Sequence, residues 1–426
     1  MANSFSNLRT VPLLPPPEEL AGQLRHLPGF VFLDSSSAEV SSGSGVPGLF
    51  SLITARPVRT LRGNLFSDRD RAALYRTYEE NRLASDLAPD LGFPTEGLYG
   101  YVTYEGDFVF GEYREFLVYD HDRERWLEKG SLSENIRIAE RRSDSVSRPL
   151  EFRDHVSREE FCGMVARAQE YIAAGDIYQV NLSHRFSAEV PPGFQAWDYH
   201  RCLREQSPAP FAAFLSLGDR EIVSSSPEQF LSLSGSTIQT RPIKGTSPRF
   251  RDRAQDEKSA YDLLTSPKEV AELIMITDLE RNDLGRICEF GSVEATELLK
   301  LERFAQVFHL VSTVSGTLRK DVGHVEALHS CFPGGSITGA PKKRAREIIA
   351  ELEPTPRGLY TGAIGCLGFN GESRFNIAIR TAVLEGDSLH FHAGAGIVAD
   401  SVPAKEWEET LHKAAGLIQA GIEISN

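Results

Sequence analysis

The amino-acid sequence predicts an α+β fold. Segments of alternating apolar and polar residues predict strands, and segments with apolar residues three and four positions apart predict helices. The two kinds follow one another without the regular alternation of a doubly wound sheet. The chain has 426 residues, which at roughly 150 residues per domain suggests two or three units. We place a boundary near residue 150 and expect one domain over residues 1–150 and a second over residues 151–426. A single large domain built on extensive sheets is the alternative.

The first part of the chain is predicted to contain mainly short strands. Residues 1–20 read as a loose arm that ends in three successive prolines. Apolar runs predict strands at residues 30–33, 49–54 and 97–104. The serine- and glycine-rich run 41–45 predicts a turn. Charged, turn-rich sequence over residues 120–148 predicts a surface hairpin followed by a linker.

Past residue 150 the pattern begins with a helix and a strand. Ser157 and Glu160 form a capping box, apolar residues then recur at helical spacing, and Gly175 ends the helix. Residues 177–186 alternate with period two. One face of this strand carries Tyr178, Val180 and Leu182, and the other carries Gln179, Asn181 and Ser183. The polar face is either solvated or turned toward a site, and the pattern alone favours neither.

Further helices and strands follow in irregular order. Ser266 and Glu269 form a second capping box with Pro267 at the first helical position. The core face of this helix is predicted to carry Val270, Leu273, Ile274 and Thr277. A third helix lies between Pro341 and Pro354, and a C-terminal helix begins at residues 401–403. Strands are predicted at residues 220–224, 230–233, 361–369, 375–384 and 388–392.

Composition excludes several classes of protein. The net charge is −14, which argues against a nucleic-acid-binding surface because phosphate contacts need clustered lysine and arginine. The five cysteines are dispersed and show no metal-ligand spacing, so we expect neither a zinc site nor disulfides, as in a cytoplasmic protein. The first 20 residues have no apolar core, and no apolar run is long enough to span a membrane, so no signal peptide and no membrane segment are expected.

The C-terminal helix carries a stripe of charge. Glu406, Glu409 and Lys413 are spaced i, i+3, i+7, so they fall within roughly 60° of the helix circumference. Two carboxylates and an ammonium beside an apolar face suit a cation and an anionic ligand. The alternative is an exposed face with ordinary ion pairs.

Three further features suggest anion binding or nucleophilic chemistry. The glycine-rich segment 334–342 leads into a helix, and residues 394–396 form a second glycine-rich segment; exposed backbone N–H groups in such segments bind anions. Arg380 ends an apolar strand and needs either a carboxylate ligand or a structural ion pair. Lys244, framed by Pro242 and Gly245 in a turn after a strand, is either a solvated lysine or an amine nucleophile with a lowered pKa.

Together these segments resemble the chorismate-utilising enzymes. The motifs that carry the resemblance run in the family's order over residues 175–182, 226–228, 241–246, 275–283, 309–312, 334–342 and 394–401. They span well over half of the chain, from about residue 157 to 415. The resemblance implies two large, mostly antiparallel sheets stacked as a sandwich, surrounded by helices. Residues 1–150 would correspond to the amino-terminal domain of anthranilate synthase component I, and residues 151–426 to the chorismate-binding catalytic domain.

Within the family, the resemblance is greatest to the large subunits of aminodeoxychorismate synthases. These carry lysine at the position of Lys244, where anthranilate synthases have Pro-Ile-Ala-Gly-Thr. In that group the lysine amine attacks the chorismate ring and ammonia then displaces the enzyme. Isochorismate and salicylate synthases carry a water-activating lysine at the position of Gln179, so the glutamine favours ammonia as the final nucleophile. The implied product is 4-amino-4-deoxychorismate, the precursor of 4-aminobenzoate in folate biosynthesis.

The resemblance also implies the site residues. Glu272 and Glu409 would bind Mg²⁺, with Glu406 in the same cluster. Glu228 and His309 would serve as acid–base partners for the departing ring hydroxyl. The residues implied in substrate binding are Gln179, Gly335, Thr338, Tyr360, Arg380, Gly394, Ala395, Gly396 and Lys413.

The partners and the competing hypotheses follow from the same resemblance. The sequence contains no glutaminase motif, so ammonia from glutamine would require a separate glutamine amidotransferase subunit. Ser35, Pro210 and Phe211 match parts of a pocket that can hold tryptophan in relatives, whereas residues 45–49 do not. The alternatives are an anthranilate or aminodeoxyisochorismate synthase that has a lysine at this position, and a non-catalytic chorismate-binding protein.

Overall fold

The computed structural model describes residues 8–35, 50–83, 91–137, 148–304 and 307–424. The strands, in chain order, are β1 (Arg9–Val11), β2 (Val31–Asp34), β3 (Phe50–Thr54), β4 (Arg59–Asn64), β5 (Gly97–Val102), β6 (Asp107–Tyr113), β7 (Phe116–Asp120), β8 (Arg125–Lys129), β9 (Arg153–Asp154), β10 (Gln179–Glu189), β11 (Phe211–Leu217), β12 (Arg220–Ser226), β13 (Gln229–Ser234), β14 (Thr237–Arg241), β15 (Ile243–Pro248), β16 (Glu294–Arg303), β17 (Val307–Thr317), β18 (Gly339–Ala340), β19 (Ala363–Gly368), β20 (Glu372–Ile377), β21 (Thr381–Glu385) and β22 (Ser388–Ile397). The helices are α1 (Pro17–Leu24), α2 (Asp68–Asn81), α3 (Arg158–Ala173), α4 (Ala196–Gln206), α5 (Arg253–Leu264), α6 (Pro267–Gly285), α7 (His324–Cys331), α8 (Lys342–Leu352) and α9 (Pro403–Glu423).

These strands form two large sheets. The first has twelve strands in the order β1-β8-β7-β3-β2-β11-β12-β21-β22-β10-β18, with β9 paired to β10. The second has ten strands in the order β15-β17-β14-β13-β20-β19-β5-β6-β4, with β16 paired to β17. Neighbouring strands pair antiparallel throughout the described part of both sheets. The predicted α+β class with two large antiparallel sheets is confirmed.

The two sheets face each other across a shared core. Val31 and Leu215 of the twelve-stranded sheet lie in one apolar cluster with Tyr99 and Ile364 of the ten-stranded sheet. Because successive strand residues point to opposite faces, Phe32 turns outward, where α1, α4 and α9 cover the twelve-stranded sheet. Helices α2, α6 and α7 cover the outer face of the other sheet. The architecture is therefore a sandwich with helices outside.

Both sheets contain strands from either side of residue 150. Strand β2 pairs with β11 in one sheet, and β5 pairs with β19 in the other. The domain boundary near residue 150 stays a prediction. It does not separate the two sheets, because each sheet contains strands from both sides of it. The described segment on its far side, from residue 148, leads directly into β9 and α3.

Residues 8–24 contain a strand and a helix where the sequence predicted a loose arm. Strand β1 pairs with β8, and Arg9 donates a 2.8 Å hydrogen bond to the buried carboxylate of Glu128. The third proline, Pro17, is the first residue of α1, and Glu18 and Glu19 follow it in the first turn. Proline and acidic residues both favour a helix start, so the run of prolines that suggested a loose arm is the signal for this helix.

Both predicted capping sequences begin helices, but only the first forms the complete capping box. The Ser157 side chain accepts from the Glu160 N–H and the Glu160 carboxylate from the Ser157 N–H, as predicted. The Ser266 side chain accepts from the Glu269 N–H at the start of α6. The predicted core face of α6 is wrong at one position, because Ile274 is 45% exposed. The buried face instead continues through Ile276, Glu280 and Leu284.

The strand predicted over residues 375–384 is divided into two. Strand β20 belongs to the ten-stranded sheet and β21 to the twelve-stranded sheet, so the chain crosses between the sheets at residues 378–380. Arg380 takes a left-handed conformation with φ of 49° at this crossing. Non-glycine residues rarely adopt this conformation, and apolar periodicity gives no signal for it.

Several predictions lie wholly or partly outside the described residues. The turn at residues 41–45 does, as does most of the linker before residue 148. The hairpin before that linker is present as β7 and β8, but both strands belong to the twelve-stranded sheet and Trp126 is buried between them and α1. All five cysteines are free thiols, as predicted. Of the helices in the described ranges, none is both long and apolar enough to cross a membrane.

Buried histidines are expected to make the fold acid-sensitive. Burial lowers the pKa of His184 and His324 to about 4 and that of His390 to about 3. An unfolded chain binds these protons near pH 6.5, so the stability from neutral, buried imidazoles is complete above about pH 6.5 and is lost as the pH falls toward 4. Each such group costs about 1.4 kcal/mol per pH unit in that window.

This expectation is measured by thermal unfolding between pH 7.5 and pH 4.5. His184→Gln should reduce the slope of stability against pH, because one titrating group is removed. The matched control is His412→Gln, at an exposed position of α9, which should keep the wild-type slope. Equal slopes in wild type and His184→Gln would contradict the assignment.

Candidate functional site

Lys244 lies on a strand with a bulge and not in the turn that the sequence suggested. Strands β14 and β15 are separated only by Pro242, and both pair with β17. Lys244 is opposite Leu310 and Thr246 is opposite His309, with a register shift between them. Gly245 has a φ of 70° at that shift, a conformation that favours glycine. The bulge re-aims the chain at Lys244, as bulges beside functional sites commonly do.

The Lys244 ammonium is placed among carboxylates and next to Gln179. Burial lowers the pKa of Lys244, and the charge of Lys413 adds to that effect, whereas Glu272, Glu228 and Glu409 oppose it. A Cβ atom on Gly396 would lie 2.6 Å from Gln179 Nε2 and 3.9 Å from Lys244 Nζ. The ends of the Lys244 and Gln179 side chains therefore both lie beside Gly396. The two residues from which the reaction was predicted, Lys244 and Gln179, are therefore neighbours in the structure.

The polar face of β10 is buried. Gln179, Asn181 and Ser183 are 2%, 8% and 1% exposed, which excludes the solvated alternative. Ser183 is held by the Glu353 carboxylate. In contrast, Gln179 Oε1 and Asn181 Oδ1 have no hydrogen-bond partner among the described residues. Buried, unpaired acceptors are costly and mark a position where a ligand would supply the donors.

The charged stripe of the C-terminal helix faces the same place. Lys413 Nζ contacts Glu409 at 2.7 Å and donates a 3.0 Å hydrogen bond to the Gly394 carbonyl on β22. Glu406 is only 3% exposed. Burial raises the pKa of Glu406, and its Oε2 is without a partner in the described chain. Glu409 and Lys413 thus form a partly exposed ion pair, as in the alternative that the sequence left open, whereas the buried Glu406 carboxylate does not fit a solvated face.

Glu272 on α6 completes the carboxylate cluster. Burial raises the pKa of Glu272, while Lys244 and Lys268 lower it, and its Oε1 is also unpartnered within the described ranges. No three acidic, histidine or cysteine side chains of the described residues converge closely enough to form a metal site by themselves. Mg²⁺ commonly binds through one or two carboxylates with water and substrate oxygens as the remaining ligands. One or two of Glu272, Glu406 and Glu409 could supply these carboxylate ligands.

Glu228 and His309 have opposite proton preferences. Burial raises the pKa of Glu228, although it accepts hydrogen bonds from the Ser336 hydroxyl and the Ile243 N–H. Burial and the charge of Arg380 lower the pKa of His309 to about 3, and its Nδ1 lies 3.0 Å from Thr246 Oγ1. Glu228 is the better proton donor, whereas His309 is a neutral imidazole at physiological pH.

Arg380 enters the site from the crossing between the sheets. The Ser225 N–H donates to the Arg380 carbonyl at 3.0 Å, which anchors the backbone at this point. Its guanidinium makes no ion pair or hydrogen bond with any described residue, and burial lowers its pKa. Of the two sequence-based alternatives, the structural ion pair is therefore not observed. An unpaired guanidinium is ready for a carboxylate ligand.

The two glycine-rich segments differ in the groups that contact their backbones. The N–H of Gly335 donates a 3.0 Å hydrogen bond to Glu280 Oε1, and the Thr338 hydroxyl donates to the Gly334 carbonyl. The anion bound by this backbone is thus a carboxylate of the chain itself. Burial and neighbouring Asp283 raise the pKa of Glu280 to about 7. Glu280 lies in the helical motif 275–283 but was not among the predicted site residues.

The second glycine-rich segment lies in β22 and pairs with β10. A Cβ atom on Gly394 would come within 2.8 Å of both Asn181 Oδ1 and the Tyr360 hydroxyl. Glycine is therefore required for these polar groups to approach the strand. Ala395 points the other way, into the apolar cluster under α3, α8 and α9, so only its backbone faces the site.

An open cavity of about 1190 Å³ lies beside the glycine-rich segment 334–342. Its lining includes Phe332, Pro341 and Lys342 near the ends of that segment, and Tyr104, Glu353 and Arg357. None of the predicted site residues lines it. We place the candidate site at the carboxylate and lysine cluster because four unpaired buried acceptors, on Gln179, Asn181, Glu272 and Glu406, belong to it. In the predicted tryptophan pocket, the Ser35 hydroxyl donates to the Pro210 carbonyl at 3.0 Å. Residues 45–49, the part that does not match, lie outside the described residues.

The sandwich of antiparallel sheets brings a lysine, three carboxylates and an arginine without a partner among the described residues to one candidate site. The sequence model of the chorismate binding enzyme family matches residues 51–419. The chain therefore belongs to the chorismate-binding enzyme family.

Individual relatives carry two names. The chain is 44% identical over 265 residues to aminodeoxychorismate synthase component 1 of Bacillus subtilis, which covers 62% of this chain and 56% of that protein. It is 38% identical over 401 residues to anthranilate synthase component 1 of Thermus thermophilus, covering 85% of each. The crystal structure of anthranilate synthase component I from Streptococcus pneumoniae has a TM-score of 0.77 at 32% identity, covering 88% of this chain and 93% of that one. The choice between the two amination products therefore depends on the site residues.

Proposed function

We propose that the chain is the large subunit of an aminodeoxychorismate synthase, which converts chorismate and ammonia to 4-amino-4-deoxychorismate. The observation that carries the proposal is the position of Lys244 beside Gln179, against the glycine strand at Gly396. Burial lowers the pKa of this lysine, so a larger fraction of its amine is unprotonated and nucleophilic than in a solvated lysine.

The cations of the site suit the two carboxylates of chorismate. Arg380 has no partner in the described residues and would take one carboxylate in a bidentate contact. Lys413 lies at the Gly394 carbonyl, close to the Tyr360 hydroxyl. These groups would bind the substrate at two points and leave its ring above Lys244. Mg²⁺ held by Glu272, Glu406 and Glu409 would bind the ring carboxylate and stabilise charge on it.

The first chemical step is a substitution by the lysine amine. Lys244 Nζ forms a bond to a ring carbon, the double bonds shift, and the bond to the ring hydroxyl breaks. Burial raises the pKa of Glu228, so we assign it as the acid that donates a proton to the hydroxyl, which departs as water. The proton that the lysine nitrogen loses can pass to the ionised Glu228, which restores the acid.

The second step releases the enzyme. Ammonia attacks the ring, the bond to Lys244 breaks, and the product leaves with the amino group. Gln179 is uncharged and cannot act as the base that a water nucleophile would need. A separate glutamine amidotransferase subunit would supply the ammonia when glutamine is the nitrogen source.

Replacing Glu272 by glutamine is expected to raise the Mg²⁺ concentration for half-maximal activity by about 10-fold or more, because one anionic oxygen ligand is lost. The measurement is chorismate turnover against Mg²⁺ concentration. Glu269→Gln is the control, at the neighbouring α6 position outside the proposed ligand set. An unchanged Mg²⁺ titration in Glu272→Gln would remove this residue from the metal site.

The test of the function is product identity. The purified chain is incubated with chorismate, Mg²⁺ and an ammonium salt, and a 4-amino-4-deoxychorismate lyase is then added. We expect 4-aminobenzoate; anthranilate as the sole product would reject the proposal and support the second candidate. That candidate, anthranilate synthase component I, is favoured by the relatives with that name at 38% identity and by the solved structure at 32% identity. Chorismate binding without any turnover would support a non-catalytic protein.

A further inference from the structure

Arg357 has all of its hydrogen-bond donors occupied inside the protein. The side chain precedes Tyr360 in the loop after α8 and is 2% exposed. Its Nε donates to Glu353 Oε2 at 2.9 Å, its Nη1 to the Ile337 carbonyl at 3.0 Å and to Thr361 Oγ1 at 3.2 Å, and its Nη2 to the Asn181 carbonyl at 2.6 Å and to Glu353 Oε1 at 2.7 Å. A guanidinium has five N–H donors, and five hydrogen bonds are made.

Three of the four acceptor residues, Asn181, Ile337 and Thr361, belong to segments that carry candidate site residues. Asn181 lies on β10, two residues after Gln179. Ile337 lies in the glycine-rich segment between Ser336, which hydrogen-bonds Glu228, and Thr338. Thr361 follows Tyr360, and its N–H donates to the Ala378 carbonyl two residues before Arg380. Three segments that are far apart in sequence therefore meet at one side chain.

Glu353 extends this contact along β10. Its Oε1 also accepts hydrogen bonds from the Ser183 N–H at 2.8 Å and from the Ser183 hydroxyl at 3.0 Å. The Arg357–Glu353 pair thus holds β10 at both Asn181 and Ser183. The rings of Tyr104 and Tyr360 lie 4.8 Å and 5.6 Å from the guanidinium carbon, so the planar group is also fixed in orientation.

A buried ion pair by itself is weak evidence of a gain in stability, because both charges must be desolvated. Here the pair has a different property, since its directed donors specify the relative positions of three backbone segments. Only arginine provides five donors in a planar, fixed arrangement; lysine provides three on a flexible stem.

We propose that Arg357 is a positioning residue of the chorismate site. It sets β10, the glycine-rich segment and the chain at Tyr360 and Thr361 in their catalytic arrangement without touching the substrate. Its donors are saturated by the protein, and with Glu353 and Tyr104 it lines the neighbouring cavity that the predicted site residues do not line. The inference rests on the proposed function only in taking this cluster as the place where chorismate reacts.

The test compares Arg357→Lys with Arg59→Lys. The Arg357→Lys variant keeps a positive charge beside Glu353 but loses at least two of the five hydrogen bonds. Arg59 contacts the buried carboxylate of Glu112 at 2.6 Å across strands β4 and β6, so it is an arginine–carboxylate pair outside the site, although its own side chain is half exposed. For each variant we measure the melting temperature, the chorismate dissociation constant, and kcat from total chorismate consumption whatever the product.

We expect Arg357→Lys to lower kcat by about 10- to 100-fold, since small displacements of reacting groups have effects of this size. The dissociation constant should change by less than about threefold, because Arg380 and Lys413 remain to bind the carboxylates. Arg59→Lys should leave kcat unchanged and change the melting temperature little, because its side chain is half exposed. Wild-type kcat in Arg357→Lys, or a loss only in proportion to unfolded protein, would overturn the proposal.

A milder variant covers the case in which Arg357→Lys does not fold. Thr361→Val has nearly the same shape and removes one acceptor of the Arg357 guanidinium. We expect kcat to fall by about threefold or more while the protein stays folded; an unchanged kcat would also overturn the proposal. Because turnover is counted from chorismate, a positioning effect is measured even if the product proves to be anthranilate, which would reject the proposed function alone.

Discussion

Lys244→Ala is expected to reduce chorismate amination by about 1000-fold or more while leaving the fold intact. The magnitude follows from the role, because removing a covalent nucleophile abolishes the pathway that it opens. The side chain lies on a bulged strand and is only half-buried, so its removal leaves no large cavity. Chorismate should still bind, since Arg380 and Lys413 are untouched.

Two measurements decide the nucleophile role. Wild-type protein mixed with chorismate and Mg²⁺ without ammonia should show a covalent, chorismate-derived adduct by mass spectrometry, and Lys244→Ala should not. The control is Lys258→Ala, at an exposed position of α5, which should react as wild type does. An unimpaired Lys244→Ala would show that the lysine is not the nucleophile.

The same amine predicts a pH dependence. Burial lowers the pKa of Lys244 below that of an ordinary lysine, and only the unprotonated amine attacks the ring. The rate of adduct formation should therefore rise with pH through the lowered pKa and level off at a lower pH than the value near 10.4 of a solvated lysine would allow.

Arg380→Met is expected to have the second large effect, with opposite consequences for binding and for stability. Two charge-assisted hydrogen bonds to a carboxylate are each worth about 1.5–3 kcal/mol, so the chorismate dissociation constant should rise by about 100-fold or more. The guanidinium has no partner among the described residues, and burial already opposes its charge. Removing an unpaired buried charge should leave the melting temperature unchanged or raise it.

The comparison variant is Arg281→Met, at an exposed position of α6 where the arginine pairs with Asp278 at 3.2 Å. It should change neither chorismate affinity nor the melting temperature appreciably, because exposed ion pairs contribute little. A fall in stability together with unchanged affinity in Arg380→Met would mean that Arg380 is a structural residue.

The sequence by itself determined the local elements and the residues that carry the chemistry. Capping boxes placed the starts of α3 and α6, and the spacing of Glu406, Glu409 and Lys413 placed a charged stripe on one helix. These signals are local, because caps and helical faces depend on residues within one or two turns. The motif resemblance added Lys244 and Gln179 as the residues that choose the reaction.

Only the tertiary structure decided which of these side chains are buried and which have partners. The polar face of β10 is buried against groups distant in sequence, such as Glu353, which lies 170 residues from its partner Ser183. Arg380 lies in the site because the chain changes sheets there, in a left-handed conformation that periodicity does not encode. Glu280 and Arg357 escaped prediction because their partners lie on segments distant in sequence. Pairing between distant segments forms only when the whole sandwich folds, so a local sequence pattern does not predict which segments pair.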